Sequence, residues 1–138
     1  MTDTLVDANV LIDVWSADSD WAGWSMNAIE AARLDGDLVI NPIIYAEVCV
    51  PFDSFDEVEG AMAPHFFRRD SLPWEAAFVA ARAFRRYRSA GGDRRAPLPD
   101  FYVGAHAEVR GFRLLTRDVQ RYRGYFPSVD LISPETHP

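Results

Sequence analysis

Four acidic side chains stand where the chain can bring them together: Asp7, Glu47, Asp100 and Asp118. Asp7 follows the apolar pair Leu5-Val6, and Glu47 interrupts a stretch that is otherwise apolar at Ile43, Ile44 and Val48. Asp100 comes directly after Pro99, and Asp118 follows the run Leu114-Leu115. Taken singly, each has an ordinary reading as a helix cap or a surface charge. Taken together at one edge of a fold, the four would repel one another strongly. Such a cluster is tolerable when hard divalent cations occupy it, and Mg²⁺ or Mn²⁺ prefers carboxylate and water oxygens.

What the sequence lacks narrows the chemistry further. All 14 basic residues are arginine, which excludes a P-loop lysine, a pyridoxal Schiff base and the lysine of a response-regulator receiver. The lone Cys49 makes neither an internal disulfide nor a thiolate metal site, so nothing calls for an oxidising compartment. The charge is divided unevenly. Residues 1–66 carry 13 acids and only Arg33, whereas residues 67–138 carry 8 acids and 13 arginines, within a net charge of −7. An acidic total argues against coating nucleic acid by long-range attraction, while local phosphate contact by arginines of the second half stays open.

The elements that must position the acids follow from periodicity. Leu5-Val6 reads as a short buried strand. Trp21, Trp24, Ala28 and Ala32 predict a helix over 20–35 that stops at Asp35-Gly36-Asp37. Leu38-Val39-Ile40 is strand-like, and Asn41 can cap a helix with Pro42 at its first position. Ser54 and Glu57 form a capping box ahead of Phe55, Val58 and Met62. Pro73 opens a helix whose apolar row is Trp74, Ala77, Phe78, Ala81 and Phe84, with Arg82, Arg85, Arg86 and Arg88 largely elsewhere, ending at Gly91-Gly92-Asp93. Pro97-Leu98-Pro99 leads into a helix running to Arg110 and stopped by Gly111. A strand at 113–115, a helical turn to Tyr125 and a strand at 129–132 complete the chain. Strands alternating with helices predict one α/β domain over residues 1–138, with a mostly parallel central sheet flanked by helices. In such sheets ligands gather beyond the carboxyl ends of the strands, where Asp7 and Asp118 would meet.

Four segments carry a family resemblance: Val6-Asp7-Ala8-Asn9-Val10-Leu11-Ile12-Asp13, Asn41 to Glu47, Leu98-Pro99-Asp100 to Ala107, and Leu114-Leu115-Thr116-Arg117-Asp118. In order and spacing they resemble the acidic motifs of the PIN-domain ribonucleases, and among these the VapC toxins of toxin–antitoxin modules. The tail Arg121 to Pro127 resembles theirs as well. The resemblance implies a PIN-like three-layer sandwich. It puts Asp7, Glu47, Asp100 and Asp118 at the catalytic, metal-holding positions, with Asn9 and Thr116 as supporting polar residues. Ala8 departs from the hydroxyl residue frequent there, which touches only a supporting hydrogen bond. His106, about 240° around the helix from Asp100, should face away from the carboxylate and act structurally. Gly104, one turn from Asp100, should admit a close neighbour.

The implied activity is Mg²⁺-dependent hydrolysis of RNA phosphodiesters, with Mn²⁺ as a substitute. Water is the nucleophile, giving 3′-hydroxyl and 5′-phosphate ends. Single-stranded loops of tRNA or rRNA are the implied targets, and inhibition of translation the outcome. Arg117 and Arg121, beside Asp118, are candidates for contacting RNA phosphate. A VapB-type antitoxin and a second copy of the chain are the implied partners. No stretch reads as a signal peptide or membrane span, so the expected setting is the cytoplasm. Three alternatives begin from the same residues. A haloacid-dehalogenase-like phosphatase would need an acid where Asn9 stands and a lysine the chain does not contain. A PIN-like module that only binds would not need all four acids. A DNA-flap nuclease would need further elements to thread its substrate.

Overall fold

The computed structural model describes residues 1–16, 19–91 and 98–138. Gly92, Asp93 and Pro97, read above as part of a turn, lie outside them. The element order is β1 (Thr4–Val6), α1 (Ala8–Trp15), α2 (Ala22–Asp35), β2 (Leu38–Ile40), α3 (Pro42–Cys49), α4 (Phe55–Met62) and β3 (Arg68–Arg69). It continues with α5 (Trp74–Ser89), α6 (Leu98–Arg110), β4 (Arg113–Leu115), α7 (Val119–Tyr125) and β5 (Leu131–Ile132), and one 3₁₀ turn at Ala63–His65 follows α4.

The five strands form one sheet in the order β3-β2-β1-β4-β5, and every pairing is parallel. β1 and β2 are buried on both faces, so they read as continuous apolar runs rather than alternating ones. The chain builds outward from β1 through β2 to β3, then crosses back to β4 and β5. The direction of winding therefore reverses between β1 and β4. A crevice opens at such a reversal beyond the carboxyl ends of the strands, and Asp7 and Thr116 sit directly at those ends.

Local sequence explains the helix ends. Asp7 caps α1 through its own carboxylate, Asn41 accepts from the Ile44 N–H at 2.9 Å with Pro42 in the first turn of α3, and Ser54 accepts from the Glu57 N–H at 3.2 Å. The Glu57 carboxylate completes the box by accepting from the Asp53 N–H. Gly111 takes φ +72° after α6, which a side-chain-bearing residue would adopt only with strain.

One expectation changes on contact with the structure, and one strand was not foreseen. The row that α5 buries is Ala76, Ala80 and Ala83, while Trp74 is 93% exposed and Phe78 61%. Small side chains let α5 approach α6 closely, and that outweighs the larger apolar area of the aromatic row. The strand β3 was not legible as one, because Arg68-Arg69 is a polar, exposed edge of two residues.

Candidate active site

Asp7 is the buried centre. Its Oδ1 accepts from the Ala8 N–H at 2.8 Å, and its Oδ2 accepts from the Thr116 hydroxyl at 2.8 Å, the Tyr122 hydroxyl at 3.0 Å and the Asn9 amide at 3.4 Å. Burial pushes the Asp7 carboxyl up from the ordinary carboxylate range, the nearby Asp100 charge adds to this, and the hydrogen bonds partly offset it. Asn9 and Thr116, expected as supporting residues, both hydrogen-bond to the Asp7 carboxylate. Thr116 Oγ1 donates to Asp7 while accepting from the Asp118 N–H at 3.0 Å, and Asn9 Oδ1 accepts from the Arg117 N–H at 3.2 Å. Together they tie the loop after β4 to the loop after β1, which fixes Asp118 relative to Asp7.

Glu47 projects from α3, half-buried, with no hydrogen bond or ion pair to its carboxylate among the described residues. Burial raises its proton affinity first, then the charges of Asp7 and Asp100, with Arg121 opposing. Asp100, in the first turn of α6, is likewise raised by burial and by Asp118 against the opposing charge of Arg121. The charge of Asp100 thus acts on Asp7, those of Asp7 and Asp100 on Glu47, and that of Asp118 on Asp100. Arg121 lies between two of them, its Nη1 2.8 Å from Asp100 and 3.4 Å from Asp118.

Among the described residues, no three acidic, histidine or cysteine side chains are drawn together tightly enough to cage an ion. The donor set nonetheless has the chemistry of a hard-cation site: it is all carboxylate, and the position between Asp100 and Asp118 already holds a cationic group, the Arg121 guanidinium.

Arg117 is placed away from this cleft. Its guanidinium pairs with both oxygens of the buried Asp13, with Nη2 3.0 Å from Oδ1, and lies over the Trp21 ring at 5.6 Å. Of the two arginines expected near phosphate, only Arg121 reaches the acids. His106 is fully buried and faces away from Asp100, its Nδ1 accepting from the Asn41 amide at 2.9 Å. That leaves Nε2–H to donate to Asp70 at 2.8 Å, so the ring is held neutral in one tautomer. Burial pushes the imidazole below its usual range despite Asp70. Gly104 admits the ring of Phe126, which occupies the space a Cβ would need.

Sequence reasoning missed three contributors. Tyr122 is one helical turn beyond Asp118, a spacing that could have flagged its hydroxyl. Asp13, an acid inside the apolar run Val10 to Val14, signals a buried partner, and it accepts from Ser25 at 2.9 Å and Ser19 at 3.1 Å as well as pairing with Arg117. The bond from His106 to Asp70 depends on the unanticipated β3, and no local pattern announces it.

Comparison with known proteins agrees with this architecture. The family model described as PIN domain matches residues 4–126. No protein among the curated ones matches the chain significantly. Among solved structures, the chain is similar to VapBC2 from Rickettsia felis bound to a DNA fragment from its promoter, with TM-score 0.73, 12% identity, and coverage of 95% of this chain and 98% of that one. It is also similar to FitAcB from Neisseria gonorrhoeae, with TM-score 0.71, 18% identity and coverage of 98% and 99%. A toxin–antitoxin complex from Klebsiella pneumoniae gives TM-score 0.71, 23% identity and coverage of 95% and 97%. At these identities the likeness is one of fold.

Proposed function

The chain belongs to the PIN domain family, and from that premise we propose that it is a divalent-metal-dependent endoribonuclease acting as the toxin of a VapBC-type toxin–antitoxin pair. The observation that carries the reading is geometric: one guanidinium, that of Arg121, lies against both Asp100 and Asp118, and the Thr116 hydroxyl ties the loop of Asp118 to the buried Asp7 at the winding reversal of the sheet. A lone helix cap or surface acid has no reason to be buried beside other acids.

In this reading Asp7, Asp100 and Asp118, with Glu47, hold Mg²⁺ or Mn²⁺. When bound, such a cation stabilises charge developing on a phosphate and makes water more acidic. The chain's own residues do the rest. Thr116, Tyr122 and Asn9 fix the direction of the Asp7 carboxylate. Glu47, unengaged by protein donors and raised in proton affinity, accepts the proton lost by the attacking water at its carboxylate oxygens. Arg121, once the acids are neutralised by a cation, is free to meet the substrate phosphate. One observation favours a second reading, a module that only binds: Arg121 already bridges Asp100 and Asp118. Titration with Mn²⁺ separates the two, since a module of that kind takes up no ion at this edge.

The solved neighbours include toxin–antitoxin complexes, which supports a VapB-type antitoxin as partner. An arginine or lysine from its C-terminal segment would enter the carboxylate cleft and block metal and substrate. Exposed apolar side chains such as Phe55, Phe66 and Val50 support a homodimer. No helix among the described residues is long and apolar enough to cross a membrane, and a cytoplasmic setting belongs to the same proposal. The test of the function is 5′-end mapping of cellular RNA after brief induction, against an Asp7→Asn control. New 5′-phosphate ends at defined tRNA or rRNA loops, absent with the variant, support the reading; identical end profiles contradict it.

A further inference from the structure

The arginines are not used alike. Of the twelve among the described residues, eight pair with carboxylates: Arg33, Arg68, Arg69, Arg110, Arg113, Arg117, Arg121 and Arg123. The other four, Arg82, Arg85, Arg86 and Arg88, have no carboxylate partner among the described residues, and all four fall within seven residues of α5. They form a local basic stretch in a chain with 21 acids and a net charge of −7. The four are exposed. Arg82, Arg85 and Arg86, with Ser89 and Ala90, line a shallow groove of about 630 Å³ on the side of α5 opposite its buried alanines.

The surroundings indicate which anion suits the groove. Arg82 lies over the Phe78 ring at 5.0 Å, and Trp74 stands exposed one turn earlier, so cations and open aromatic faces share one stripe of the helix. Guanidinium groups that follow a backbone, interleaved with rings on which bases stack, suit a single-stranded nucleic acid better than an acidic peptide, which brings carboxylates but no aromatic bases. The last turns of α5 also adjoin the candidate active site. Phe84 and Tyr87 both pack on Phe101 with ring centres 5.5 Å apart, next to Asp100, and Arg86 donates to the Tyr125 carbonyl at 3.1 Å, at the end of the helix that carries Arg121.

We infer that the exposed face of α5 from Trp74 to Arg86 is a docking track for single-stranded RNA, its arginines on the phosphates and Trp74 and Phe78 under bases, delivering the strand to the carboxylate cleft. This rests on the ribonuclease reading above, and it assigns substrate binding to a helix none of whose residues belongs to the acidic motifs.

The test is fluorescence anisotropy of a labelled single-stranded oligoribonucleotide of mixed sequence. It is titrated with full-length protein in EDTA across roughly 50–200 mM KCl, the range over which phosphate contacts change affinity strongly. Arg82→Gln/Arg85→Gln removes two exposed charges that have no carboxylate partner among the described residues, and its melting midpoint serves as a folding control. The expected result is an affinity about tenfold weaker, and a slope of log K against log salt shallower by about 1.4, roughly 0.7 for each lost phosphate contact on a single strand. Trp74→Ala should weaken binding about fivefold or more with the slope unchanged, because stacking carries no charge. Wild-type affinity and slope in the double variant would overturn the track, and unchanged affinity in Trp74→Ala would remove its stacking half. If the double variant binds RNA normally but passes from dimer to monomer in light scattering, the face is a protein interface and the inference is wrong. Wild-type protein that cleaves RNA in Mg²⁺ while the variants bind normally sinks this inference alone. Wild-type protein that neither binds nor cleaves RNA sinks the ribonuclease reading with it.

Discussion

At the scale of single residues, Arg121 and His106 illustrate two uses of charge. Arg121 neutralises part of the repulsion between Asp100 and Asp118, in the place proposed for a divalent cation. Arg121→Gln should therefore lower the melting midpoint of the metal-free protein and raise its affinity for Mn²⁺. A partly exposed pair of this kind contributes up to about 1 kcal/mol, or about fivefold in affinity. Calorimetric titration with Mn²⁺ beside a thermal melt checks both signs, and equal affinities would show that the guanidinium does not compete with the ion. His106 works the other way, held neutral by burial between Asn41 and Asp70. Its folded pKa lies below the ordinary 6.5, so the unfolded chain binds the proton more readily. Its contribution to stability is complete above about pH 6.5 and is lost as pH falls toward the depressed value. Asp7, Glu47 and Asp100, with raised values, change stability in the opposite sense as pH falls through their own range. Denaturation midpoints followed from pH 8 to about 5.5 should fall more steeply for wild type than for His106→Gln; parallel curves would remove His106 from the account.

At the scale of elements, three of the four acids are held by strand ends and helix starts, and Glu47 by the body of α3. Asp7 follows β1 and caps α1, Asp100 lies in the first turn of α6, and Asp118 precedes α7. The seat of α6 depends on Gly104, whose missing side chain admits Phe126. Gly104→Ala forces a methyl into a filled core, and a cost of about 1–3 kcal/mol is expected in urea unfolding; an unchanged midpoint would show that the ring can retreat. Much of this layer was legible in advance. Asn41-Pro42, Ser54 with Glu57, and Gly111 mark helix ends by local chemistry, and Leu38-Val39-Ile40 and Leu114-Leu115 mark strands by burial on both faces. The acids after those strands could be placed at one edge because a parallel sheet puts all its carboxyl ends on one side. What stayed hidden was set by partners distant in sequence. The alanine row of α5 won over its aromatic row only because α6 was there to be approached, and β3 is a strand only because β2 pairs with it. Arg117 beside Asp118 in sequence looked like a phosphate contact until Asp13, 104 residues away, was found to hold it.

At the scale of the whole molecule, the division of charge seen in the sequence acquires a spatial meaning. Asp7 and Asp118, two of the acids proposed for the chemistry, follow the strands at the winding reversal of the sheet, and among the described residues the arginines without a carboxylate partner lie on helix α5. The proposed cleavage of a phosphodiester would use both, a cation-holding group of acids and a basic approach to it. The account stands on the claim that Asp7, Glu47, Asp100 and Asp118 form one metal-dependent centre and are not four separate structural acids. The most direct measurement pairs the thermal midpoint of metal-free Asp100→Asn protein near neutral pH with its cleavage of RNA in Mg²⁺. Burial and Asp118 make the charged form of Asp100 unfavourable overall, in spite of Arg121. The account therefore predicts that the variant melts at or above the wild-type temperature, that Mn²⁺ raises its midpoint much less than that of wild type, and that its cleavage is nearly undetectable. A helix-terminus charge would give the reverse, with a loss of roughly 0.3–1 kcal/mol in stability. A variant that melts lower than wild type and cleaves RNA normally would contradict the account.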